Sequence, residues 1–224
     1  MKTVFGVNSA TPINKKLKNG YTMFDWVARQ KGFPSFCMRT LCGEEKITAE
    51  EIEFLRSKDC KIGLVIRDLT EKSVSGINGT KDALRAVEAA KELGVAQNAG
   101  IAIFAGIRPE WSINHNWMIS FAQVIFASGY VPGFIGNTDS SKNFNFDRQF
   151  SHFVQATRDV DCFGTILAAT EPKCESIPDY WKPYCPSAIE SDDIKLWVCG
   201  TTTFDFQQVE DVYAKDDKVL AKMW

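Results

Sequence analysis

The sequence predicts an α/β protein of the (β/α)8, TIM-like barrel class, with irregularity expected in the last two strands. Three observations lead there. Runs such as Lys61–Leu69 (KIGLVIRDL) and residues 99–107 (AGIAIFAGI) are nearly continuously apolar, the composition of parallel strands buried on both faces. Stretches with helical spacing alternate with these runs along most of the 224 residues. No glycine-rich phosphate loop follows the first run, which weakens an open nucleotide-binding sheet as the alternative. A barrel of this size is expected to form one domain, spanning residues 1–224.

The elements follow in order. Thr3–Asn8 (TVFGVN) reads as a first strand, and Met23–Gln30 as a helix with Phe24, Trp26 and Val27 on its apolar side. Ser35–Leu41 is a second strand. Thr48 then opens a helix as a capping box, with Glu51 three residues on to reach back to the free backbone donors. After the third strand, Ala83–Leu93 returns to helical spacing and Gly94 ends it. The fourth strand is followed by a helix at Asn116–Ser128, stopped by Gly129, and by a fifth strand at Val131–Gly136. A helix at Phe146–Arg158 and a sixth strand at Cys162–Ala169 come next. An irregular segment, Glu171–Asp193, holds four of the eight prolines and has the length of a functional loop. Strand seven is expected at Ile194–Gly200, a candidate eighth near Phe204–Phe206, and a last helix from Val209 onward.

Composition narrows the function classes. The chain is 45% hydrophobic, enough for one sizeable core, and carries a net charge of −2, so no basic face for a nucleic-acid backbone is indicated. No apolar run approaches the roughly 18 residues of a membrane span. The start, MKTVFGVNSA, lacks the apolar core of a secretory signal. The expectation is a cytoplasmic protein, or one exported by a signal that this stretch does not contain. The seven cysteines cannot all pair internally. Cys37, Cys162 and Cys199 lie in apolar runs, whereas Cys174 and Cys185 bracket the loop CESIPDYWKPYC, where a disulfide and two free thiols are both open readings. With no CxxC pair and His115 and His152 as the only histidines, neither a metal site nor a cofactor is expected.

In this order, Gly-Val-Asn near the start, an Arg ending strand two, the helix start KITAEE and the helix GTKDALRAVEAAKELGV resemble the glycoside-hydrolase-like barrel domains, relatives of the lysozyme-type muramidases. IAIFAGI, GYVPGFIGN and IKLWVCG…FDFQQVEDVY fall in matching order, so the resemblance covers nearly the whole chain. It implies hydrolysis of a cell-wall or other amino-sugar polysaccharide by carboxylate chemistry, with a polysaccharide or oligosaccharide as partner. It also implies an Asp in strand one and acids at the end of strand four. Here those places hold Asn8 and Gly106-Ile107-Arg108, with Glu110 further into the loop; Arg39 and Asp205 match the Arg of strand two and the Asp of the last strand.

Cleaving a glycosidic bond normally takes a proton donor and a second carboxylate. Barrel chemistry sits on the loops after the strands. Glu110, beside Trp111, is the candidate donor by position; Asp68, Glu171 and Asp205 are candidate second carboxylates. Asn8, Arg39, Trp111, Asn137, Asp139, Trp181 and Trp197 are the candidate saccharide contacts, the aromatics for apolar sugar faces and the polar groups for hydroxyls. Each has a structural alternative: Glu110 as a solvated loop residue, Asp68 in a local ion pair, Asp139 in a polar turn, and Arg39 as a strand-end clamp. Three functions therefore stay open: a glycosidase, an inactive relative that binds glycan because Asn8 and Ile107 replace acids, and an unrelated enzyme on a similar barrel.

Overall fold

The computed structural model describes residues 3–141, 145–171 and 181–224. Eight strands close into a barrel in sequence order: β1 (Val4–Ser9), β2 (Phe36–Thr40), β3 (Lys61–Ile66), β4 (Ala102–Gly106), β5 (Val131–Gly136), β6 (Ile166–Glu171), β7 (Leu196–Phe204) and β8 (Gln207–Ala214). Neighbours from β1 to β7 run parallel, but β8 runs antiparallel to both β7 and β1. The barrel is therefore mixed, and the (β/α)8 expectation is corrected. The reason lies in the last connection. Phe204 pairs with Gln207 across a turn of Asp205 and Phe206, far shorter than the dozen or so residues a parallel crossover needs.

The helix expected from Val209 does not form. QQVEDVYA alternates, with Val209, Asp211 and Tyr213 on one face and Glu210, Val212 and Ala214 on the other, which is the period of a strand. The candidate eighth strand at Phe204–Phe206 is the end of β7 and the turn after it. Strand six begins four residues later than expected, because residues 158–164 form a 3-10 segment with Asp161, Cys162 and Phe163 in left-handed conformation. The helices are α1 (Met23–Lys31), α2 (Ala49–Ser57), α3 (Glu71–Val74), α4 (Thr80–Glu92), α5 (His115–Ala127) and α6 (Phe146–Thr157); the short α3 is the one that the sequence reading did not contain.

The core has two parts. One lies between the strands and the helices, where Trp117, Phe121, Phe134 and Phe153 pack together. The other fills the barrel with Phe36, Met38, Val65, Phe104, Ile135 and their neighbours. Large residues there lie against glycines: a Cβ on Gly6 would sit 2.5 Å from the Phe36 ring, and one on Gly133 would sit 2.4 Å from that of Phe104. This matching of large to small fills a narrow barrel. After β8 the chain crosses the lower end, where Val219 and Met223 join the barrel core and Trp224 exchanges backbone hydrogen bonds with Ile62.

A buried ion pair fixes the upper end of β2. Arg39 is fully buried; its Nε and Nη2 donate to Glu51 on α2 at 2.6 and 3.0 Å, and its Nη1 to the carbonyls of Ser9 and Ala10 at 2.7 and 2.5 Å. Glu51 Oε1 also accepts from the Ile13 amide at 2.8 Å. Thr48 caps α2 as expected, but Glu51 turns to Arg39 instead of completing the capping box. The pair thereby ties the β1 loop, β2 and α2 together. The cysteines resolve as well: Cys185 is a free thiol 3.1 Å from the Ile189 carbonyl, so no Cys174–Cys185 bridge forms, while Cys199 is disulfide-bonded. Cys174 lies outside the described residues.

Removing one partner of such a pair strands the other charge, so Glu51→Ala is expected to cost about 3–5 kcal/mol in urea unfolding. Arg39→Met combined with Glu51→Leu is expected to cost clearly less than the two single changes added together. Additive losses would contradict this account of the pair.

Candidate functional site

Side chains alternate across each strand, and the barrel core shows which face points inward. Gly63 and Val65 in β3 put Arg67 next on the inner face; Val212 and Ala214 in β8 put Glu210 there; Phe36 and Met38 in β2 do the same for Thr40, and Val4 and Gly6 in β1 for Asn8. These four positions form a polar layer at the end of the barrel where the parallel strands finish. Register brings two of them side by side, since Asn8 pairs with Glu210.

The layer is joined by one amide. Asn8 Nδ2 donates to Glu210 Oε2 at 2.5 Å, and Asn8 Oδ1 accepts from Arg67 Nη2. Only this orientation of the amide gives both contacts a donor and an acceptor. An Asp at position 8 would serve the guanidinium and repel the glutamate. Burial pulls the Arg67 guanidinium down to about 10, against the attraction of Glu210, and the nearby Arg39 adds to the lowering. Arg67 Nε and Thr40 Oγ1 are buried with no hydrogen-bond partner among the described residues. Two polar atoms of one layer are thus left unsatisfied by the described residues.

The residues singled out in the sequence are placed as follows. Asn8 is in the layer. Arg39 lies on the outer face of β2 with its donors taken up by Glu51 and three carbonyls. Asp68 faces Arg85 on α4 at 3.3 Å and accepts from Cys42 Sγ at 3.2 Å. Burial and this carboxylate push the Cys42 thiol up to about 12. Asp205 is in the β7–β8 turn, 2.6 Å from the exposed Lys18 ammonium. Glu110 is exposed in a turn, and the half-buried Trp111 beside it lies under the Arg108 guanidinium, 5.3 Å from the ring centre. Asn137 and Asp139 are buried after β5: Asn137 Oδ1 accepts from the Asp139 amide, and Asp139 Oδ1 accepts from Ser141. Trp181 and Trp197 pack edge-on at 5.6 Å within the outer core. Glu171 ends β6, and its side chain is outside the described ones.

Asp68 and Asp205 are thus each held by a cation of their own, and Glu110 is exposed in its turn. The acid that does enter the layer, Glu210, was hidden by reading Val209 onward as a helix. Arg67 carried a usable signal: it is the first charge after five consecutive non-polar residues of β3, in phase with Gly63 and Val65. Among the described residues, no group of three or more metal-ligating side chains occurs, and no helix is long and apolar enough to cross a membrane.

No protein-family model and no curated protein matches the sequence. Solved structures share its fold. An uncharacterized protein of B. stearothermophilus, solved at 1.07 Å, superposes with a TM-score of 0.81 at 22% identity, over 99% of this chain and 100% of that one. The Tat-secreted protein Rv2525c of Mycobacterium tuberculosis, solved in complex with HEPES, gives 0.59 at 11% identity, over 94% and 95% of the two chains. The spore cortex lytic enzyme SleM of Clostridium perfringens gives 0.46 at 11% identity, over 95% of this chain and 67% of that one, too loose a likeness to argue from.

Asn8→Asp tests the bridging role directly. It sets two carboxylates at hydrogen-bonding distance, so one must hold a proton, and its folded-state pKa rises. A carboxyl raised in this way keeps its stability at low pH and loses it as pH climbs through the folded pKa. The variant is expected to match wild type near pH 4 and to melt well below it at pH 8. Equal melting temperatures at both pH values would contradict the bridge.

Proposed function

We propose that this protein binds an amino-sugar polymer at the barrel mouth and that binding, not cleavage, is its activity. The observation that carries this reading is the Asn8 amide set between Arg67 and Glu210. Two-carboxylate hydrolysis needs a second acid across the scissile bond. Here the position beside the glutamate holds an amide, and Glu210 already accepts from it. A guanidinium, an amide, a carboxylate and a hydroxyl in one recessed layer offer the mixed donors and acceptors that sugar hydroxyls and N-acetyl groups require. Trp111, half-buried on the loop after β4, offers an apolar face near the same end. The resemblance to glycoside-hydrolase-like barrels supports the substrate class, and the amide at position 8 supports the loss of hydrolysis.

A second reading keeps hydrolysis. The N-acetyl group of the substrate would serve in place of a protein nucleophile, with Glu210 as the one acid. Glu210 on the inner face, where the parallel strands end, favours it.

One pair of assays separates the two. Sedimentation with insoluble peptidoglycan and with chitin is expected to pull down the wild type. Glu210→Gln and Arg67→Met are expected to weaken retention at least about tenfold, the loss of one charged hydrogen bond. Release of reducing ends is expected from neither protein; release by wild type that Glu210→Gln abolishes would overturn the binding-only reading. Retention should also hold to pH 9 and fall as Arg67 loses its proton near pH 10. The lowered Arg67 value favours the fold as pH rises above 10, whereas Tyr213, held up to about 12 by burial, opposes it. Circular dichroism at each pH therefore accompanies the binding measurement.

A further inference from the structure

We propose that the β7–β8 hairpin carries a second saccharide subsite, with the Phe206 ring as its platform and Thr201, Thr203 and Gln208 as its polar edge. The inference rests on the mouth binding a saccharide, and it adds that the protein grips a chain and not a single unit.

A β-bulge shapes the hairpin. Val198 pairs with Val212, and Thr201 pairs with Glu210, so β7 spends one residue more than β8 between these pairs. Gly200, with φ +97, lies within the extra stretch. A bulge of this kind flips the alternation of its strand. Beyond it, Thr201 and Thr203 share a face with Glu210 and Gln208, while Thr202, Phe204 and Val209 take the other. The second face is packed: Phe204 meets Trp26 of α1 edge-on at 5.0 Å, Trp26 Nε1 donates to the Thr203 carbonyl at 3.1 Å, and Thr202 Oγ1 donates to the buried Asp211 at 2.8 Å. Lys18 holds the tip through Asp205. The hairpin is therefore backed along its length.

The first face is open. Thr201, Thr203 and Gln208 are all exposed, and Phe206 at the tip is 93% exposed, the most exposed of the large apolar side chains described. A ring so exposed contributes little to the fold and is left free to stack. The face is continuous with the polar layer through Glu210. Beyond Glu210 it holds two hydroxyls and an amide with no charge, which suits the neutral hydroxyls of a sugar chain better than a peptide or a phosphate backbone. At about 3.3 Å per residue, Phe206 stands roughly 13 Å beyond Glu210. A disaccharide seated at the mouth stops short of it, whereas a longer oligomer passes under the ring.

Chain length is therefore the readout. Calorimetric titration of wild type, Phe206→Ala and Glu210→Gln with the dimer and the hexamer of β-1,4-linked N-acetylglucosamine separates the two levels. Phe206→Ala is expected to melt with wild type and bind the dimer equally, but to bind the hexamer about tenfold more weakly, the worth of one aromatic contact. Unchanged hexamer affinity in Phe206→Ala would overturn the subsite while leaving the mouth intact. Equal losses for dimer and hexamer would also overturn it, because the ring would then act at the mouth. If Glu210→Gln leaves both affinities at wild-type values, the reading of the mouth itself fails.

Discussion

Because β8 runs back along β1, from Val4 opposite Ala214 to Asn8 opposite Glu210, the barrel closes with its last strand inverted. The meeting of two polar groups at the mouth follows from that seam. It sets Glu210 beside Asn8, which in turn can reach Arg67 two strands away. A one-residue slip would turn Glu210 outward and Asp211 inward, trading the bridged carboxylate for one now held by Thr202 and Lys31. The inverted strand also makes the hairpin possible, since only antiparallel neighbours join through a two-residue turn.

Two arginines at the upper end of the barrel divide the work. Arg39 has its donors satisfied by Glu51 and by the carbonyls of Ser9, Ala10 and Glu45, so it fastens backbone to backbone. Arg67 is held by Asn8, and its Nε has no partner among the described residues. A guanidinium in a desolvated layer with an unused donor is poorly satisfied by the protein alone, which is what a binding site requires of its polar groups. The amide at position 8 links the cation and the carboxylate without adding a charge.

Much of this architecture can be read from the sequence. Parallel strands buried on both faces leave continuous apolar runs, and β3 to β5 were found from them. The helices between the early strands keep an unambiguous period. The end of the chain was harder, because QQVEDVYA mixes charges with apolar residues at a spacing that suits both a helix start and a strand. What decides between them is the tertiary partner, β1, which lies about 200 residues earlier in the chain. The site suffered from the same cause. Asp205, singled out by resemblance, lies in the turn beside Lys18, while strand alternation puts Glu210 on the inner face. The contacts of Asn8 depend on two neighbours, Arg67 and Glu210, that no local window contains.

The central claim is that the Asn8–Arg67–Glu210 layer is where a saccharide is held. The most direct measurement is a heteronuclear NMR titration that follows the Arg67 Nε–H and Asn8 Nδ2 signals as an N-acetylglucosamine oligomer is added. Both signals are predicted to shift in a saturable way, with the same affinity as the whole protein and with the Arg39 Nε–H left in place. Saturable binding that leaves Arg67 and Asn8 unmoved, or no binding at all, would contradict it.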